Sequence, residues 1–144
     1  MSLQSGGKDS LLLGEFLNQQ KIDYTAWYMT TTRTYPKIIA RLRSEEPRLA
    51  HRYLDREALR EAAQAGGLNG HVPVTYIALS YALIDAVLHG ENTVLAAIGK
   101  EGEEPHALVG DLAVNHQWSK TWTAEQLLAD YVAAIISPNL YVGS

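Results

Sequence analysis

Apolar and polar positions along this chain fall into blocks that read alternately as helix and strand. Ser10 to Gln19 places Leu11, Leu12, Leu13, Phe16 and Leu17 at helical spacing and predicts a first helix. Ile22 to Met29, with Tyr24, Thr25, Trp27 and Tyr28, predicts a strand. Thr30-Thr31-Thr32 is a loop. Pro36 introduces a helix over Lys37 to Arg43, which Pro47 ends. Leu49 to Leu54 predicts a short strand. Asp55 can cap a helix that runs through Ala65 and closes at Gly66-Gly67. Pro73 starts a long apolar helix to His89, stopped by Gly90. Its Ile77, Ala78, Tyr81, Ile84 and Leu88 recur at helical spacing and are expected in the core. Because apolar residues occupy most of its circumference, this helix is expected to be largely buried. Thr93 to Ile98 is apolar almost throughout, as suits a strand inside a parallel sheet. Thr123-Ala124-Glu125-Gln126 reads as a capping box for a last helix to Ile136, with Pro138 behind it. The alternation gives an α/β fold, a mainly parallel sheet flanked by helices.

Composition narrows the picture. At 144 residues the chain suits one domain, residues 1–144, with a real core. A hydrophobic share of 47% and a charged share of 19% are globular values. A net charge of −4 supplies no general field for nucleic acid. Lys37, Arg41 and Arg43 form a small basic cluster that reads as a solvated helix face. No run reaches membrane-spanning length and no signal peptide is visible, so neither nucleic acid nor membrane is an expected partner. The absence of cysteine fits a cytoplasmic protein.

The chemistry concentrates in three blocks. Ser5-Gly6-Gly7-Lys8-Asp9-Ser10 places two glycines between hydroxyl residues, directly before the first helix. Glycine lets the backbone approach a ligand closely, and the free N–H groups of a helix N-terminus attract anions. This is the composition of a phosphate site. Ser5 and Ser10 offer hydroxyls, and Asp9 can cap the helix or hold Mg²⁺ beside the phosphates. The second block is Asn69-Gly70-His71-Val72-Pro73-Val74-Thr75, a turn at a helix N-terminus that gathers Asn69, His71 and Thr75. His71 reads equally as a helix cap or a solvent-facing ring. The third is Val114-Asn115-His116-Gln117-Trp118-Ser119-Lys120. It is either a site segment or a polar loop with Trp118 anchored in the core.

Ser5 to Ser10 resembles the Ser-Gly-Gly-x-Asp-Ser signature of the PP-loop ATP pyrophosphatases, with Lys8 in the variable position. The Walker spacing Gly-x-x-x-x-Gly-Lys is absent. The resemblance implies an α/β fold with the loop after its first strand. It also implies cleavage of ATP between the α and β phosphates and transfer of AMP to a carboxylate or similar oxygen. Only Met1 to Gln4 precede the loop, so the first strand is expected to be short or missing and the loop poorly ordered. Met-Ser-Leu at one end and Leu140 to Ser144 at the other read as the ends of a piece excised from a longer protein. With no cysteine, the thiol chemistry of several PP-loop branches is outside this chain's reach.

Gly70-His71-Val72-Pro73-Val74-Thr75 and Asn115-His116-Gln117-Trp118-Ser119-Lys120, at their distance from the loop, narrow the likeness. The chain resembles the UDP-N-acetylmuramoyl-L-alanyl-L-glutamate epimerases. That resemblance implies inversion of the terminal glutamate of a peptidoglycan precursor with ATP and Mg²⁺, the substrate being a small molecule. Those enzymes are longer at both ends. They carry a polar Ser-Asn-Glu-Arg-Ser-like segment where this chain reads Ala96-Ala97-Ile98-Gly99-Lys100-Glu101.

The chemistry is physically sensible. The anionic carboxylate opposes loss of the neighbouring α-proton, and adenylation removes that charge. A base then takes the proton from one face and an acid returns it on the other. His71, His116 and Lys120 are the candidates for acid and base, and the residues do not rank them. Ser5, Gly6, Gly7, Lys8, Asp9 and Ser10 are assigned to the nucleotide, Asp9 to the metal, and Asn69, Gly70, Thr75, Asn115 and Gln117 to the substrate. Two other readings stand beside the epimerase. One is an AMP-forming amide ligase resembling the NAD synthetase branch; the other is a module that binds nucleotide without turnover.

Overall fold

The computed structural model describes residues 1–43, 45–67 and 72–144, and for Glu101 the backbone alone. Seven strands and five α-helices follow the chain as β1 (Ser2–Leu3), α1 (Lys8–Gln19), β2 (Ala26–Thr30), α2 (Lys37–Leu42), β3 (Arg48–His51), α3 (Arg56–Gln64), α4 (Val74–Leu88), β4 (Thr93–Ala96), β5 (Ala107–Val109), β6 (Leu112–Val114), α5 (Trp122–Tyr131) and β7 (Tyr141–Gly143). Two single 3-10 turns, Lys100–Glu103 and Trp118–Lys120, lie on either side of the β5–β6 hairpin. A π turn, Val132–Ile136, continues α5.

Five strands form one sheet in the order β3-β2-β1-β4-β7, every pair parallel. The expected α/β architecture is therefore present. The first strand is present too, at the centre of the sheet. Ser2 stands beside Ala26 on one side and Leu95 on the other, and Leu3 beside Trp27 and Ala96. Gln4 N donates to Trp27 O at 2.8 Å and Leu95 N to Met1 O at 3.0 Å, so the ladder extends past both ends of the strand. Two residues suffice because both neighbouring strands are already in place to pair with them.

Helices cover both faces, as a parallel sheet requires. On one side Trp27, Val94 and Ala96 pack with Leu79, Ala82, Leu83 and Ala86 of α4, and with Val132 and Leu140. On the other, Ala26 and Tyr24 pack with Leu17 of α1 and Ile39 of α2. Asp55 caps α3 as expected, accepting from the N–H groups of Glu57 and Ala58. The cap of α5 falls two residues before the expected one. Thr121 accepts from Ala124 N, and Glu125 instead accepts from Ser144 N, beside β7. Strands β5, β6 and β7 are further elements that the hydrophobic pattern left unassigned. All six residues of the β5–β6 hairpin are exposed. None of the helices among the described residues is long and apolar enough to cross a membrane.

The expected burial of α4 is corrected. The buried stripe is Leu79, Ala82, Leu83 and Ala86, while Tyr81, Ile84 and Leu88 are exposed. The helix carries two apolar stripes and rests on the sheet with one. The sheet lies along only one side of the cylinder, so geometry admits a single stripe. Leu79→Ala should therefore cost about 2–5 kcal/mol of unfolding free energy in a denaturant titration. Ile84→Ser should stay within about 0.5 kcal/mol of the parent protein. Equal losses would contradict this assignment of the buried face.

Candidate functional site

Gln4 ends the central strand, and the chain then turns sharply into α1 through Ser5, Gly6 and Gly7. Gly6 sits at φ +77°, and a Cβ there would stand 3.1 Å from the ring of Pro36. Both the backbone angle and the close approach of Pro36 require glycine. The loop is tied to itself. Ser10 Oγ accepts from Ser5 N at 3.2 Å and donates to Gly7 O at 3.0 Å, and Ser5 Oγ accepts from Gly7 N at 3.1 Å. These bonds make the loop a compact hydroxyl-braced turn. Gly7 is the N-cap of α1 and supplies no side chain to it. The helix N-terminus is left for another acceptor.

That N-terminus opens into a cleft of about 390 Å³. The cleft follows the carboxyl ends of β1, β2 and β4, with Gln4, Met29 and Ala96 to Gly99 among its walls. It sits where the strand order reverses beside β1, the place where open α/β sheets take their ligands. Ser5, Gly7, Asp9 and Ser10 line it from the loop, Thr75 from the first turn of α4, and Gln117 and Lys120 from the turn before α5. Segments far apart in sequence therefore meet. Asp9 and Lys120 carry the charge among the described lining residues, and no described acid pairs with Lys120. No cluster of three metal-ligating side chains exists among the described residues. A single carboxylate beside an anion site is nevertheless how a phosphate-bound Mg²⁺ is commonly held.

Other assigned residues stand elsewhere. Asn69, Gly70 and His71 lie outside the described residues. Gly6 and Lys8 belong to the loop but not to the cleft wall. His116 does not line the cleft; its ring packs on His106 at 3.8 Å between centroids. Asn115 is engaged inside the protein, donating to Gly102 O at 2.6 Å and accepting from Gln117 N at 2.8 Å. Trp118 is not a core anchor. It is half-exposed, with its edge against Tyr76, whose phenol donates to Ala124 O at 2.6 Å and is pushed up in pKa by burial.

The sequence reading passed over the apolar wall of Leu3, Trp27, Met29 and Ile98. Gln4 Oε1 and Trp27 Nε1, both on lining residues, are buried and lack a partner among the described atoms. Ala96 to Gly99, where the chain departs from the polar segment of the resembled family, also lines the cleft. Gly99 and Gly102 directly after the best strand were the available signal for this wall.

Fold and cleft define an open-sheet α/β protein with a cleft at the carboxyl ends of its strands. Residues 2–142 match the MurL N-terminal domain family, and the chain belongs to that family. Among curated relatives it is similar to the UDP-N-acetyl-alpha-D-muramoyl-L-alanyl-L-glutamate epimerase of Salinispora tropica, 33% identical over 128 residues. It is also similar to the enzymes of that name from Xanthomonas oryzae pv. oryzae, 30% over 138 residues, and a Micromonospora species, 30% over 128 residues. These alignments take in 89%, 94% and 89% of this chain but 28%, 30% and 28% of the relatives. The chain thus spans under a third of their length.

Gly6→Ala should lower unfolding free energy by about 1–2 kcal/mol, because alanine resists the left-handed angle and meets Pro36. Thermal unfolding measures it. An unchanged midpoint would mean that the loop relaxes without cost.

Proposed function

We propose that this domain binds ATP with Mg²⁺ in the cleft and forms the nucleotide-binding part of an epimerase acting on the terminal L-glutamate of a UDP-muramoyl dipeptide. The observation that carries the nucleotide half is the convergence of a glycine turn and uncapped helix N-terminus with Lys120, Gln117 and Thr75 around one cleft. The name shared by the relatives supports the epimerase half. On this reading the loop N–H groups and the Ser5 and Ser10 hydroxyls take phosphate oxygens, and Asp9 holds the cation. When bound, ATP would adenylate the substrate carboxylate with loss of pyrophosphate, removing the charge that opposes loss of the α-proton, and water would afterwards release AMP and restore the carboxylate. Lys120 neutralises phosphate or carboxylate charge, or moves the proton. His71 is the further candidate for proton transfer, whereas His116, packed on His106, is set aside from the reacting carbon.

The limited share of the relatives' length favours a division of labour as the second reading. Here the domain holds nucleotide, and turnover needs the polypeptide that the relatives carry beyond the matched part.

Calorimetry with ATP and Mg²⁺ tests the first half. Asp9→Ala and Gly7→Val should each reduce affinity by at least about tenfold, since the first removes the carboxylate that holds the cation and the second crowds the backbone that approaches the phosphates. Unchanged affinity in both variants would sink the phosphate assignment. For the second half, AMP and pyrophosphate should appear only with the muramoyl dipeptide present, together with solvent deuterium at its glutamate Cα. Pyrophosphate release with an amine acceptor instead would identify a ligase. Binding without release would identify the holding module.

A further inference from the structure

Asn115 reads in sequence as a substrate contact, but its surroundings give it a different task. Its Nδ2 donates to Gly102 O at 2.6 Å, and its Oδ1 accepts from Gln117 N at 2.8 Å. One side chain therefore ties the Lys100–Glu103 turn to the segment that carries Gln117 and Lys120. Both ends of that tie line the cleft. The chain between them, strands β5 and β6, is exposed throughout and offers little packing to fix their spacing.

Gly102 closes the contact from the other side. It is buried, and a Cβ there would fall 2.8 Å from Lys120 Cβ and 3.1 Å from Lys120 O. Nothing larger than hydrogen fits without displacing Lys120. Lys120 N donates to Gln117 O at 2.7 Å, so the turn bearing the ammonium is itself closed. Glu103 Oε1 accepts from Trp122 N at 2.5 Å and fastens the same two segments a step further along.

We infer that Asn115 is a positioning residue that, with Gly102 packed against the Lys120 backbone, sets how Lys120 is presented to the cleft. Each of its two polar atoms makes a bond within the protein, and Asn115 is not among the residues that line the cleft. The identity of the ligand rests on the nucleotide reading above; the placement of Lys120 does not.

The test uses the whole chain and two variants. Asn115→Asp keeps an acceptor for Gln117 N, loses the donor to Gly102 O, and sets a carboxylate against that carbonyl. Gly102→Ala leaves Asn115 intact and pushes on Lys120 directly. The first readout is the acetylation rate of Lys120 by acetic anhydride, measured by peptide mass spectrometry against exposed Lys37. Both variants should change that ratio beyond replicate scatter. The second readout is ATP·Mg²⁺ affinity in the parent and in Lys120→Met. Asn115→Asp should weaken binding on the order of fivefold when Lys120 is present and have no further effect when it is absent. An unchanged acetylation ratio in both variants overturns the inference. So does an equal loss of affinity in the two backgrounds, which would mark a merely structural asparagine. If the parent chain binds no ATP, the nucleotide reading fails and the acetylation ratio alone decides the positioning role.

Discussion

The pairing of Ser2 and Leu3 into the middle of the sheet is the constraint on which the rest of this structure depends. Parallel strands β2 and β4 are not paired with one another; β1 lies between them and pairs with both. Without that two-residue bridge the sheet divides, and the apolar layers on its two faces lose their common floor. The bridge also fixes the site. Because β1 is central and ends at Gln4, the turn that follows emerges at the reversal of strand order. There a ligand can lie across the ends of β1, β2 and β4.

A second constraint is how the two walls of the cleft are held. The loop is braced chiefly by the Ser5 and Ser10 hydroxyls within it. The far wall is different. It consists of two short 3-10 turns joined by an exposed hairpin, and its geometry comes from Asn115, Glu103 and the close fit at Gly102. One wall is therefore set by local sequence. The other is set by contacts between segments that the hairpin separates.

The parts visible in sequence were those with local causes. Helix α1, the Asp55 cap of α3, the interior position of β4 and the glycine loop follow from short-range spacing and from what glycine, proline and capping side chains do to a backbone. Strand β7 was not readable. Tyr141, Val142 and Gly143 make a strand because β4 offers an open edge beside them. Nor was the α5 cap, since Thr121 and Thr123 are both plausible caps and the contact of Glu125 with Ser144 helps fix which one starts the helix.

The sequence by itself determined the α/β class, the order of the main elements and the composition of the phosphate-type loop, because these depend on neighbours within a few residues. Only the tertiary structure decided which stripe of α4 is buried, that Asn115 bonds to Gly102 and Gln117, and that the His116 ring packs on His106. Each of those outcomes is a choice between chemically equivalent options. The choice is made by which surface lies opposite, and that surface is supplied by residues distant along the chain.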